Sequence, residues 1–294
     1  MPYFRLLKAP PKSRHAAVIE DTPMYSILCL LVFAGAYLLN ILYITVFYHR
    51  GLAHRGVELK PGLRRFVALT GNWVTGLDPK AWVCMHRRHH DFSDTRDDPH
   101  SPLNHGVLGV MLAQLRSYER IILKLRAGKP EFTDRVADLD FDVNWLNRHR
   151  LWWLPYATHL SIGLLLGVAY GAWLLGICYF FGIMSHPIQG WMVNALGHSS
   201  GGRNFDTDDD SRNNHLVAWL VFGEGFQNNH HRYPSSATFS SRRREIDLGY
   251  GLCVLFEKLG LLRIEQELLI PYRQLMAVDG GQPTQGSPSQ PLAS

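Results

Sequence analysis

Fifty-two consecutive residues, Leu151–Gly202, contain no Asp, Glu, Lys or Arg, and a second run, Met24–Phe47, extends 24 residues without a charge. A helix crossing a bilayer needs roughly 20 apolar residues at about 1.5 Å of rise each. The first run therefore makes one crossing, and the longer one makes two, joined by a tight turn near Tyr170-Gly171-Ala172. The mean hydropathy of the chain, −0.09, would alone suggest a water-soluble protein, but it averages these runs with polar stretches between them. Met24–Phe47 is too long for the apolar core of a signal peptide and is followed by Tyr48-His49-Arg50 rather than by small residues, so it reads as a retained span. The expected fold class is an all-α integral membrane protein, with spans at about 24–47, 152–170 and 173–197.

Between the spans the chain is polar and basic. Segment 48–150 carries 17 Lys and Arg and the region after Gly202 carries nine, which places that face in the cytosol by the positive-inside rule. The net charge of +5 is spread along interfacial segments, not gathered around an aromatic platform, so anionic lipid headgroups, not nucleic acid, are the expected partner. Arg242-Arg243-Arg244 suits such a surface. Segment 57–85, interrupted by Gly71, Gly76, Asp78 and Pro79, reads as an interfacial or half-buried helix. Leu108–Leu125 is the clearest amphipathic segment, and a last helix is expected near Gly249–Leu262. Cys29, Cys84, Cys178 and Cys253 are too widely separated for a disulfide framework or a thiolate zinc site.

Histidines cluster at the ends of the spans: His49 with His54, His86 with His89 and His90, Asn194 with His198, and His230-His231 at the end of Gly223-Glu-Gly-Phe-Gln-Asn-Asn-His-His. Because two spans separate the second cluster from the third, all four fall on one side of the membrane. In His86-x-x-His89-His90 the i, i+3 and i+4 side chains leave one helix face, and Gln227-x-x-His230-His231 repeats that spacing with Gln first. His49 and His54 are five apart, about 140° around an ideal helix, and converge only if the helix ends between them, as Gly51 permits. Eight imidazoles are enough donors for two ions, and imidazole suits Zn, Cu, Fe or Ni. Asp91, Asp94, Asp97, Asp98 and Glu224 are candidates to orient their ring N–H groups. His15, His105, His149, His159, His186 and His215 lack a partner at ligand spacing and are expected not to bind metal. His186 stands out among them, as a polar group inside a span.

From about residue 25 to 265 these motifs resemble the membrane fatty acid desaturase family, the histidine-box di-iron acyl-CoA and acyl-lipid (delta-9-like) desaturases; Asp97-Asp98-Pro99-His100 and Ser211-Arg212-Asn213-Asn214 resemble family segments too. The resemblance implies an enzyme that uses O₂, two electrons and a pair of iron ions (Fe²⁺/Fe³⁺) to place a double bond in an acyl chain. It makes His49, His54, His86, His89, His90, His198, His230 and His231 ligands and brings Asn194 to the metal through water. Asp98, His100 and Glu224 become supporting residues behind the ligands, with His100 fixing its loop through hydrogen bonds. Trp191 shares a helical stripe with Asn194 and His198 and is placed along the substrate channel.

Two departures qualify the resemblance. Gln227 stands where many members have His, so it is a weak ligand, a water-binding residue or neither; Cys84-Met85 stands where members acting on acyl-CoA often have Arg-Asp, which leaves a lipid-linked chain or another carrier open. No haem-attachment, dinucleotide or iron–sulfur motif is present, so electrons are expected from a separate ferredoxin, rubredoxin or cytochrome with its reductase. The expected organisation is an N-terminal arm (1–23), a membrane desaturase domain (24–270) whose cap comprises 48–150 and 198–270, and a disordered tail (271–294). A fatty acid or alkane hydroxylase is the alternative enzyme, and a histidine-rich metal transporter the alternative from another class.

Overall fold

The structure, a computed structural model, describes residues 23–265; the basic arm before Pro23 and the expected tail lie outside the described residues. Helix α1 (Pro23–Leu42) begins with Pro at its first turn and runs on, without a break, into a π-helical segment, Tyr43–Ala53. Together they make 31 continuous residues, the one helix among the described residues long and apolar enough to cross a bilayer. Met24, Ile27, Leu30 and Leu31 on α1 are exposed although apolar.

Helix α1 continues to strand β1 (Val57–Leu59), then α2 (Pro61–Thr75), α3 (Pro79–Phe92) and α4 (Pro102–Arg126). Segment 57–85 is thus not a single interfacial helix. Gly76, at φ 76°, ends α2, and Asp78 starts α3 by accepting from the Ala81 amide ahead of Pro79. Helix α4 buries Val110, Ala113, Gln114, Tyr118, Ile121, Ile122 and Leu125, the stripe its helical spacing dictates. Short helices α5 (Pro130–Thr133) and α6 (Trp145–Arg148) lead to α7 (Leu154–Tyr170), which Gly171 ends at φ 67°.

After α8 (Trp173–Ile183) the chain breaks at Met184-Ser185 and resumes as α9 (His186–Trp191), followed by a second π-helical segment, Met192–Leu196. The expected span 173–197 is therefore not one helix. Pro187 has no N–H to offer the Ile183 carbonyl, which accepts instead from Asn40 Nδ2 at 2.8 Å, while Ser185 Oγ donates to the Gly182 carbonyl at 2.7 Å. Helices α1, α7 and α8 pack through glycines. A Cβ on Gly182 would come 2.8 Å from the Phe33 carbonyl oxygen, and one on Gly176 would run into that of Gly163. Such contacts suit helices held together by close backbone approach.

Helices α10 (His215–Leu220), α11 (Gln227–Arg232) and α12 (Leu248–Lys258) complete the cap. The last helix ends before Leu262, which lies in strand β2 (Leu262–Ile264), antiparallel to β1 with Val57 opposite Ile264. This two-stranded ribbon is the one element an all-α expectation lacks; the fold is mostly helical with little sheet.

A candidate metal centre built from four segments

The first segment arrives on the π-helical turn after α1. A π-helix closes i→i+5 hydrogen bonds, and the His54 amide donates to the His49 carbonyl at 3.1 Å. The helix widens where the sequence suggested it would end. Five-residue spacing is thereby accommodated on one face, with ring centroids of His49 and His54 5.1 Å apart. Gly51 serves close packing instead, because a Cβ there would meet Leu59 and the Val46 carbonyl at 3.2 Å. A similar widening precedes His198, where the Gly197 amide reaches the Met192 carbonyl at 3.3 Å.

Donor atoms gather in two sets of imidazoles, with a smaller group, His89, Asp98 and His100, adjoining the second through His89. His49, His54, His86, His90 and His230 form one and His89, His198 and His231 the other, the atoms of each lying within 4.8 Å of one another. In the first set Nε2 atoms face each other directly: His49 to His230 at 2.9 Å, His54 to His86 at 2.7 Å, and His90 to His86 at 3.1 Å and to His230 at 3.0 Å. In the second, Nε2 of His89, His198 and His231 is buried with no hydrogen-bond partner. Buried polar atoms are normally satisfied, so imidazole nitrogens brought this close together fit a cation in each set. Helix α3 supplies both sets, as does α11, and this places them side by side.

The groups behind the imidazoles differ between the sets. His89 Nδ1 bonds Asp98 at 2.9 and 3.1 Å, His198 Nδ1 bonds Asp94 at 2.7 Å, and His231 Nδ1 bonds Asp209. Each carboxylate fixes the tautomer that leaves Nε2 free. In the first set only His49 has such a partner among the described residues, Glu224 at 2.5 Å. Glu224 is itself held by Thr45 at 2.5 Å and Arg50 at 2.9 Å. Arg50 is fully buried, makes a 3.0 Å fork to Asp247 and lies 3.8 Å over the Phe239 ring.

Burial, reinforced by neighbouring imidazoles, pushes His54, His86, His90 and His230 well below the ordinary histidine range, which keeps them neutral and able to donate lone pairs. Burial also lowers His231, to about 4. For His89 burial is outweighed by the Asp98 carboxylate, which raises it, while Asp98 is held below the usual carboxylate range by that same histidine despite its own burial.

The folded chain revises several of the roles expected from sequence. Of the candidate carboxylates, Asp94, Asp98 and Glu224 reach imidazoles; Asp91 instead pairs with Arg135 at 2.8 Å and Asp97 is exposed. Asp209 escapes a sequence reading, because its signal, an Asp run three residues before Asn213-Asn214, looks like any solvated acidic loop. Arg50, Thr45 and Asp247 likewise carry no local mark of their role. His100 does not fix its loop through its ring. Both ring nitrogens lack partners, the ring stacks on His89 at 4.7 Å, and the hydrogen bond at that turn runs from the His100 backbone amide to Asp98 at 2.9 Å. Trp191 Nε1 donates to the Val107 carbonyl at 2.8 Å, and the Asn194 amide reaches Gln114 at 3.5 Å. Gln227 Nε2 donates to the Glu224 carbonyl at 2.7 Å. His105, His149, His159, His186 and His215 fall in neither set, and His15 lies outside the described residues.

Residues 25–243 match the fatty acid desaturase family. Among similar proteins, the hex-5-enoyl-[acyl-carrier protein] acetylenase of Moorena producens (strain JHB) is 30% identical over 78% of this chain and 74% of its own length. The delta-9 acyl-lipid desaturase 1 of Arabidopsis thaliana is 34% identical over 74% of this chain and 68% of its own. The sn-1 stearoyl-lipid 9-desaturase of Anabaena variabilis is 33% identical over 74% and 76%. With eight imidazoles in two facing sets and a family match across most of its length, the chain belongs to the fatty acid desaturase family. It is an oxidoreductase that acts on fatty acyl substrates.

Proposed function

We propose that this enzyme introduces a cis double bond into a saturated, lipid-linked acyl chain, using O₂ at a pair of iron ions held by the two histidine sets. The observation that carries this reading is the convergence of eight imidazoles from four segments, beside a helix of bilayer-spanning length. The balanced reaction converts –CH₂–CH₂–, O₂, two electrons and two protons into –CH=CH– and two waters. Bound iron supplies oxygen activation and the one-electron steps of hydrogen removal. The chain's own residues hold that chemistry in place and keep it dry. Trp82 stacks on His86 at 5.0 Å, and Phe239 covers His230 at 4.5 Å and His49 at 5.2 Å, excluding water that would otherwise compete at the reacting carbon. Glu224, Asp94, Asp98 and Asp209 fix ring orientation.

In this reading α7 and α8 enter the bilayer beside α1, the cap faces the cytosol with Arg242-Arg243-Arg244 at anionic headgroups, Trp191 borders the acyl path, and Asn194 meets an ion through water. Electrons come from a separate ferredoxin, rubredoxin or cytochrome with its reductase. Cys84-Met85, both buried, offers no charge to a CoA headgroup and supports a lipid carrier. The test is expression in a host lacking its own desaturases, with the double-bond positions of lipid-class-separated fatty acids measured. New cis-monounsaturated chains in membrane lipid support the proposal. Hydroxylated chains would move it to a hydroxylase, and bound zinc with no lipid change would sink every oxidative reading.

A further inference from the structure

We propose that Cys29 and Cys178 form a disulfide that staples α1 to α8 at the end of both helices away from the histidine sets. The pair belongs to neither donor set, and its oxidation does not depend on the reaction performed there.

In the sequence these two thiols look unrelated, because half the chain separates them. The fold brings them together. Helices α1 and α8 run side by side in the same direction. The Leu175 amide donates to Tyr25 Oη at 3.2 Å, and farther along a Cβ on Gly182 would stand 2.8 Å from the Phe33 carbonyl oxygen and 2.9 Å from Ala36 Cβ. Cys29 lies one helical turn after Tyr25 and one before Phe33, and Cys178 lies at the matching level between Leu175 and Gly182. The two thiols are hydrogen-bonded to each other. Cys29 is buried in the seam at 3% exposure, while Cys178 is half-buried. A disulfide needs Cα atoms roughly 4.4–6.8 Å apart, and glycine packing of this kind is what brings helix backbones that close. The other two cysteines have different surroundings: Cys84 Sγ donates to the Phe132 carbonyl at 3.5 Å, and Cys253 is fully buried near Arg50 and Asp247.

Cys29 precedes His49 by about 20 positions, roughly 30 Å of helix. With the cap in the cytosol, the pair therefore lies toward the opposite compartment, where disulfides persist. The oxidant is a disulfide-bearing thiol carrier on that face. The Cys178 thiol, the more open of the two, attacks it and forms a mixed disulfide, releasing one carrier thiol; the Cys29 thiol then attacks the Cys178 sulfur and releases the second. The two electrons and two protons lost by the chain end in the two carrier thiols. Each stapled helix leads to a different donor set: α1 runs into the segment that carries His49, and α8 leads through α9 to His198. A bond between their far ends fixes the level of one arm against the other.

The experiment uses the full chain in isolated membranes, denatured in SDS with N-ethylmaleimide before and after reduction, with each cysteine read by peptide mass spectrometry. Before reduction the Cys29 and Cys178 peptides should be linked, and Cys84 and Cys253 alkylated. Cys29→Ser should leave Cys178 open to alkylation without reduction, and Cys178→Ser should do the same for Cys29. In detergent, reduction should lower the unfolding temperature of the wild type by on the order of 5–10 °C and leave that of Cys29→Ser unmoved. Alkylated Cys29 and Cys178 in the unreduced wild type overturn the disulfide, as does a link that forms only after an oxidant is added. A linked pair whose reduction leaves the unfolding temperature unchanged overturns the staple. Because the wild type alone decides both points, variants that fail to fold do not rescue the proposal.

Discussion

Five imidazoles face one another in the first donor set with one carboxylate behind them, whereas the second has three imidazoles, each backed by its own carboxylate. The first set relies on number and burial, the second on negative charge placed behind each donor, since an imidazole that donates its N–H to a carboxylate is a stronger ligand at its other nitrogen. Two neighbouring ions can therefore be held by different means, and they should respond differently to the same kind of damage.

The largest effect should follow from His198→Ala, which takes the second set from three imidazoles to two: one ion lost and product below detection, by metal analysis and lipid chromatography. His54→Ala leaves four imidazoles in the first set and should retain two ions with reduced turnover. If His54→Ala is the more damaging of the two, the contrast is broken. Next is Glu224→Gln, which strips Arg50 of one of two buried carboxylates. Breaking a buried pair costs about 3–5 kcal/mol, so thermal unfolding should fall sharply even in metal-free protein.

Asp98→Asn should act more locally, lowering affinity for the second ion by about 10–100-fold with the first ion unaffected. The smallest effect is in pH. His89 is raised by Asp98, whereas His54, His86, His90 and His230 are pushed well below the usual range by burial. As pH falls from neutral, protons thus compete at the second set first. Metal content measured during stepwise acidification should drop from two to one before reaching zero; simultaneous loss would show that the sets are not independent.

What can be read in the sequence is short-range. His86, His89 and His90, or His230 and His231, sit within one turn, so helix geometry alone groups them. The carboxylates are legible where they lie beside a histidine motif, as Asp94, Asp98 and Glu224 do, although only Asp98 orients a neighbour in sequence, Asp94 and Glu224 reaching imidazoles 104 and 175 positions away. Asp209 acts on His231 from another loop, and Arg50 meets Asp247 across 197 positions, pairings that depend on the folded path and not on any local pattern. The two π-helical turns escape for a different reason. An α-helical period does not hold at His49 and His54, where the backbone gains a residue per turn, so a continuous helix looks like an interrupted one. Likewise the glycines at 171 and 76 announce turns, but nothing local shows that Pro187 would divide α8 from α9.

The buried Arg50 also has a consequence for the order in which the protein can be completed during its synthesis. Its guanidinium is paired by Glu224 and Asp247, residues that leave the ribosome 174 and 197 positions later. At about 5–20 residues per second, the arginine at the end of the first helix waits roughly 10–40 seconds for its counter-charges, and His49 beside it waits as long for Glu224. The early helix is in place throughout that interval, but the histidine pocket cannot close, so any metal loading must follow synthesis of the segment that carries Glu224 and Asp247.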